Sequence, residues 1–363
     1  MYNLIMLKTF SHPIFAIASN LLGENAKRRL LEVKNLFFRQ IEKLLRLFLL
    51  FFGKGLVLTY DPSLKIDGTG AQLQRIFGLY ALSKRFNIGF VNTRLRSVAV
   101  HPLDSFQSDF EVQDYLNSLA RIFHFPETNN RFLYKTDYRC LNLNFRILVF
   151  QALKSYLHRK EITIHVVSPF SVIDYCPNSY SVVRKDLLNW SSNSTRESLD
   201  GIISIVVHYR SGVGGMAVQK GEKFPREINS EYYIDIIDSI ILTLGDSVEF
   251  KIIVFTDAPP ADLEYKPPRE QFDLWSNSPR FEAGIMKVLG NDLSKRFAKY
   301  GNNCFINVGG NPLEAIEIMS RADYLIMGRS SFSYIAAILN YSGTIYYPSN
   351  FWHPPMSEWK ISI

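Results

Sequence analysis

This chain is poor in the residues that build disulfide frameworks and metal centres. Its three cysteines, Cys140, Cys176 and Cys304, are odd in number and far apart, with no CxxC pair and no Cys/His spacing that suits zinc. That usage fits a reducing compartment and no structural metal. Nor is there an apolar run of the ~20 residues needed to cross a bilayer. The most apolar stretch, Leu47-Phe-Leu-Leu-Phe-Phe52, is short and bounded by Arg46. The start of the chain is mildly apolar but is broken by Ser11, His12 and Pro13, so it does not read as a cleaved signal, and the Asn-x-Ser/Thr sequons at Asn189, Asn193 and Asn340 read as chance. G-x-G-x-x-G and the Walker lysine are both missing, which removes support for a simple dinucleotide fold and for a P-loop. Charge of one sign is also scarce beyond the first 55 residues, which hold nine of the 41 Lys and Arg but only three of the 34 Asp and Glu. The body is therefore near neutral and does not offer nucleic acid a basic surface.

What the chain does hold is apolar bulk. Of its 363 residues 47% are hydrophobic and 14% aromatic, enough to core two domains behind a basic arm. The arm, 1–54, carries Leu30, Val33, Phe37, Ile41, Leu44 and Phe48 at helical spacing, with Lys27, Arg28, Lys34, Arg39, Lys43, Arg46 and Lys54 around them. Two readings of 27–52 stand side by side: a basic amphipathic helix lying on an anionic membrane surface, and a helix packing its stripe on the protein's own body.

The first domain is expected over 55–195. Gly55–Tyr60 reads as its first strand, and Asp61-Pro62 as a turn. A glycine-containing loop, Asp67-Gly68-Thr-Gly70-Ala-Gln72, then leads into a helix through Arg75 to Arg85. Strand, glycine loop and helix in that order bring backbone amides against a bound ligand in α/β folds. Asn87–Val91 is a second strand, followed by a loop with Arg94, Arg96, His101 and Asp104. Helices are expected over 110–125 and 141–158, and a strand over 162–167. The polar, serine-rich stretch 189–200 marks the boundary.

The second domain, 196–363, repeats the alternation more plainly. Strands are expected at 201–207, 250–256, 304–308 and 324–327, with helices at 231–244, 312–321 and 334–339. This pattern predicts a doubly wound parallel sheet. Three strand ends deliver His208-Tyr-Arg210-Ser-Gly212, then Asp257, then Gly328-Arg-Ser330-Ser331-Phe332-Ser333. An arginine fork and hydroxyl-bearing residues at a helix start suit phosphate oxygens, and a carboxylate accepts the paired N–H donors of guanine. Together they suit a purine nucleoside diphosphate.

These residues resemble the recurring blocks of the α-1,2-fucosyltransferase family. The resemblance lies in His208-x-Arg210-x-Gly212, Phe255-Thr-Asp257, Met319-Ser-Arg-Ala-Asp323, Ser330-Ser-Phe-Ser333 with Ala336-Ala337, and the Gly68-x-Gly70-x-Gln72-x-x-Arg75 loop, with Asn340 and Pro348-x-x-Phe-Trp352 near the end. It touches both halves, from about residue 56 to 355, in short blocks. It implies a GT-B glycosyltransferase, two Rossmann-like domains facing across a cleft, that inverts the anomeric centre of GDP-fucose without a metal or other cofactor. The lack of any Asp-x-Asp motif agrees.

By position, Arg210 and the serine block would hold the diphosphate, His208 would support that loop, and Asp257 would contact the base. Asp67, His101 and Asp104 are the candidates for a general base. The sequence departs from the family at Ser211-Gly-Val-Gly after the His-x-Arg pair and at Tyr334-Ile335 after the serines. The expected partners are a nucleotide-sugar donor, a surface-glycan acceptor and an anionic membrane, with the enzyme cytoplasmic at the inner face. Two other readings stay open: an idle nucleotide- or sugar-binding module, and a membrane-associated scaffold.

Overall fold

The computed structural model describes residues 40, 42–64, 68–98, 109–125, 134–187, 202–210, 216–219, 222–225, 228–245, 247–256 and 293–362. Contacts divide the chain into two compact units, one drawn from Met1–Asp61, Leu79–Val91 and Pro126–Cys176, the other from Pro62–Gly78, Asn92–Phe125 and Pro177–Ile363. Both are α/β units built on parallel sheets, as the alternation of strands and helices predicts.

The first unit holds a four-stranded parallel sheet in the order β2-β1-β4-β3, from β1 (Leu56–Tyr60), β2 (Gly89–Phe90), β3 (Lys135–Asn142) and β4 (Glu161–Ser168). The inner strands β1 and β4 pair in register from Leu56 opposite Ile162 to Tyr60 opposite Val166. All five residues of β1 are buried, as expected for a strand covered on both faces. The helix over 42–52, α1, buries Leu45 and Leu49, and its Glu42 pairs with Arg85. Of the expected stripe, Leu30, Val33, Phe37 and Ile41 lie outside the described residues, Leu44 is 61% exposed and Phe48 is half-buried. The helix is apolar on more than one side. Phe145–His158 forms a further helix of this unit. Its Asn144 cap accepts from the Ile147 N–H at 3.1 Å, and the strand β3 precedes it where the sequence suggested that the helix began. β3 is an edge strand with mostly exposed side chains, so it lacks the apolar signature of its neighbours.

In the second unit six parallel strands run in the order β12-β11-β10-β5-β8-β9, with β5 (Ile203–Tyr209), β8 (Phe250–Thr256), β9 (Cys304–Val308), β10 (Tyr324–Ile326), β11 (Thr344–Pro348) and β12 (Lys360–Ser362). A two-stranded antiparallel hairpin, β6 (Met216–Gln219) and β7 (Glu222–Pro225), lies between β5 and β8 in sequence. From β5 the chain winds outward through β8 to β9. It then returns to the other side of β5 and continues outward through β10, β11 and β12. The winding direction reverses between β5 and β10, and open α/β sheets bind ligands beyond the carboxyl ends of the strands that flank such a reversal.

The β5 and β10 strands are tied at their starts by a half-buried polar pair. Asp323 Oδ2 accepts from the Ser204 N–H at 2.9 Å and from its hydroxyl at 2.7 Å, and the Asp323 N–H donates to Ser204 Oγ at 3.0 Å. Beside it, the Asn340 amide donates to the Met319 and Ala322 carbonyls and accepts from the Gly343 N–H. Gly343 is required there, since a Cβ would stand 2.0 Å from the Ala322 oxygen. Hydrogen bonds to a charged group contribute ~1.5–3 kcal/mol. Asp323→Ala should therefore lower unfolding stability by about 2 kcal/mol with an unchanged denaturant slope, read from urea titration by circular dichroism.

Candidate functional site

The site grows out of the reversal. β5 delivers His208 and Tyr209 and is followed by Arg210, while β10 is followed by Met327-Gly328-Arg329-Ser330. The register sets Ile326 opposite Val207, so the next residues of the two strands run beside each other. Gly328 is pressed against β5: a Cβ on it would lie 2.6 Å from the His208 carbonyl oxygen and 3.2 Å from the His208 Nδ1. Only a glycine allows the chain to pass there. His208 is itself buried, and its ring lies 5.6 Å from that of Phe332.

Ser330 then caps the helix Ser331–Leu339. Its backbone is extended (φ −143°, ψ 135°) and its hydroxyl accepts from the Phe332 N–H at 3.2 Å. Ser333 is fully buried and gives its hydroxyl to the Gly328 and Ser330 carbonyls at 3.1 and 3.2 Å. The serine block therefore fixes the turn that presents the helix start. Tyr334 is buried behind it and donates to the Pro354 carbonyl at 2.7 Å, anchoring the chain after β11.

The glycine loop of the first half meets this turn. In the helix Thr69–Phe86, a Cβ on Gly70 would stand 2.5 Å from Phe332 Cα and 2.6 Å from its nitrogen. The first turns of two helices thus approach with nothing larger than hydrogen between them, and neither carries an acidic residue. Each N-terminus carries roughly half a positive charge, so the pair favours an anion. Gln72 is buried and donates to the Ser97 carbonyl at 2.9 Å, Arg75 is 4% exposed, and Gly68 closes the first helical bonds. The Tyr115 hydroxyl donates to Thr69 at 2.7 Å, pinning the helix Asp109–Ile122 to the same loop.

Three residues join the site that the sequence did not single out. Arg329 sits between Gly328 and the serines and is half-buried, reaching the Ser349 carbonyl at 3.4 Å. Tyr233, fully buried on the helix Ser230–Leu244, has its hydroxyl 3.3 Å from where a Gly328 Cβ would be. Burial pushes that hydroxyl well above its ordinary pKa, so it stays a neutral donor. Gln74, fully buried one helical turn beyond Gly70, has neither amide atom partnered among the described residues. An arginine read as a spacer and a glutamine on an apolar helix face leave no periodic signal, whereas Arg329's place directly after a strand-end glycine was a usable clue.

The structure brings together Gly68, Gly70, Gln72, Arg75, His208, Arg210, Ser330, Ser331, Phe332 and Ser333 in one unit. Asp67, His101, Asp104, Gly212 and Asp257 lie outside the described residues. In the first unit Asp61 lies buried just beyond β1, with Arg139 at 3.8 Å. Burial raises the Cys140 and Cys304 thiols to about 11, so neither is a nucleophile at neutral pH. Among the described residues no group of three or more His, Cys, Asp or Glu side chains is placed to hold a metal ion.

No family model and no curated protein matches the chain. Among solved structures it is similar to POFUT1 in complex with GDP-fucose, at a TM-score of 0.42 and 10% identity over 80% of this chain and 96% of that one. A second crystal form of that complex gives 0.41 and 12% over the same shares. The E. coli heptosyltransferase WaaC with ADP-2-deoxy-2-fluoro heptose gives 0.36 and 10% over 84% and 92%.

Gly70→Ala tests the approach of the two helices, because backbone atoms cannot step aside for a methyl group. Overpacking of this kind costs ~1–3 kcal/mol, so the urea midpoint should fall accordingly. An unchanged midpoint would mean that the two first turns are not in contact.

Proposed function

We propose that the second unit binds the diphosphate of a purine nucleotide sugar and that the protein is an inverting glycosyltransferase of the GT-B type that works without a metal. GDP-fucose is the donor proposed, on the sequence blocks and on the place of Asp257 directly after β8. The observation that carries the reading is the meeting of two acid-free helix N-termini at Gly70 and Phe332, in the same unit as the sheet reversal where β5 runs into Arg210 and β10 into Gly328-Arg329. That arrangement gathers positive potential at one point and suits an anion with several oxygens.

In the reaction, the bond between the sugar's anomeric carbon and the β-phosphate oxygen breaks, and its electron pair leaves with the nucleoside diphosphate. Arg210, Arg329 and the main-chain amides of the two first turns stabilise the charge that grows on that phosphate. His208 and Gly328 hold the two strand ends at the separation that lets these donors converge. An acceptor hydroxyl bonds to the anomeric carbon from the opposite face and gives up its proton. Asp67, His101 and Asp104 remain the candidates to take it. The acceptor proposed is a hydroxyl of a surface glycan.

Calorimetric titration with GDP, UDP and ADP in the presence of EDTA tests the donor side. GDP should bind in the micromolar range and be preferred, and Arg210→Ala should abolish that binding while retaining the thermal midpoint. Preference for UDP would discard fucose, and binding without sugar transfer would make the protein a nucleotide-binding module. Removing one oxyanion donor costs ~10²–10³ in turnover and a charged one more, so Arg210→Ala should lose at least that factor in transfer. Retention of more than a tenth of the wild-type turnover would remove Arg210 from the site. Arg329→Ala should lose a similar factor.

A further inference from the structure

Helix α1 turns only part of its apolar surface inward. Leu45 and Leu49 are buried in the first unit, yet Leu44, Leu47, Leu50 and Phe51 are 61, 57, 45 and 67% exposed. Leu44, Leu47 and Phe51 follow at steps of three and four and make one outward stripe. The stripe does not end with α1. Phe48 lies 4.7 Å from Phe52, and Phe52 meets the ring of Tyr156 edge-on at 5.0 Å. Tyr156 belongs to the helix Phe145–His158, which exposes its own apolar residues, Phe150, Tyr156 and Leu157, at 63, 59 and 72%. Two helices of one unit therefore present adjoining apolar surface to solvent, a feature that marks an interaction site on a soluble protein.

The charge on these two helices has one sign. Lys43, Arg46 and Lys54 are exposed on and just after α1, and Arg146, Lys154 and Arg159 are exposed on and just after the second helix. The only acid within 42–54 or 145–160 is Glu42, which is buried and paired with Arg85. Exposed leucines and aromatics interleaved with bases, and free of exposed acids, match the acyl boundary and headgroups of an anionic bilayer. A protein partner would have to supply both a wide apolar patch and an acidic rim. No helix among the described residues is long and apolar enough to cross a membrane, so the contact is one of lying on the surface.

We infer that the first unit docks on an anionic lipid surface through a face made jointly by α1 and the helix Phe145–His158, with Leu44, Leu47, Phe51, Phe150 and Leu157 entering the interface and the surrounding bases contacting headgroups. Helix α1 is thus half of the membrane face, and its inward residues Leu45 and Leu49 are structural. The inference does not depend on the donor proposed above, and GDP titration of the same variants reports on that reading separately.

Co-sedimentation of the full chain with phosphatidylcholine vesicles, with and without phosphatidylglycerol, is the test. The wild-type chain should partition onto the anionic vesicles, release as salt is raised through the physiological range, and ignore the zwitterionic ones. Phe51→Glu and Phe150→Glu should each weaken partition by about tenfold or more while keeping the thermal midpoint. Lys43→Glu with Arg46→Glu, both at exposed positions, should do the same without touching an apolar residue. Failure of the full chain to bind anionic vesicles would overturn the inference. So would full retention of binding by Phe150→Glu, which would confine the anchor to α1. A chain that dimerises through this face, dimeric by light scattering and monomeric as Phe51→Glu, with no vesicle binding in either form, would overturn it in favour of a second copy.

Discussion

Gly70 rests on the main chain of Phe332, and this contact sets two helix N-termini against each other. Two partial positive charges at such range repel, and most proteins would offset them with an aspartate or glutamate in the first turn. Neither helix has one. The cost is carried by the packing behind the contact. That packing includes the capped turn at Ser330, the Ser333 hydroxyl given to two carbonyls, the glycine passage at 328 and the Tyr115 bond that holds Thr69 in place. Stability elsewhere thus maintains an electrostatic arrangement that favours an anion. The glycines belong to this logic rather than to flexibility, since Gly70 and Gly328 are where backbone meets backbone.

The same division between inward structure and outward chemistry holds in the first unit. α1 uses Leu45, Leu49 and the Glu42–Arg85 pair to fasten itself, which frees its other side from any structural duty. A side chain that is not needed for folding and yet stays leucine or phenylalanine at four positions costs solubility. Within one helix the two duties are separated by little more than a quarter turn.

Much of the second unit was legible in the sequence because β5, β8 and β10 are buried on both faces and read as near-continuous apolar runs. The helix Pro312–Arg321 was equally plain, with proline in its first turn and an Asn311 cap. β3 was not, for the opposite reason: Lys135, Thr136 and Asp137 sit on an exposed edge where propensity gives way to pairing with β4. The hairpin β6–β7 and the three-residue β12 are too short to show a period. The described end of the arm was legible only in part. Its apolar residues satisfy two helical stripes at once, so periodicity fixed the helix but not the direction in which it faces. At the site, Arg210 and Ser330 were visible as strand-end residues. The meeting of Gly70 with Phe332 joins segments some 260 residues apart, and no local pattern announces it.

The chain passes between its two units several times, because the second takes Pro62–Gly78 and Asn92–Phe125 from the first half of the sequence and the remainder from Pro177 onward. As the polypeptide leaves the ribosome, the segments bearing Gly70 and Tyr115 emerge long before β5, β10 or the turn at Ser330 exist. Those early segments must wait, exposed, while Leu79–Val91 and Pro126–Cys176 complete the first sheet. Synthesis order therefore makes the first sheet the scaffold that is finished earliest and the anion-attracting turn one of the last features to close. A nascent chain that has not reached Ser330 carries the glycine loop without the turn that Gly70 packs against.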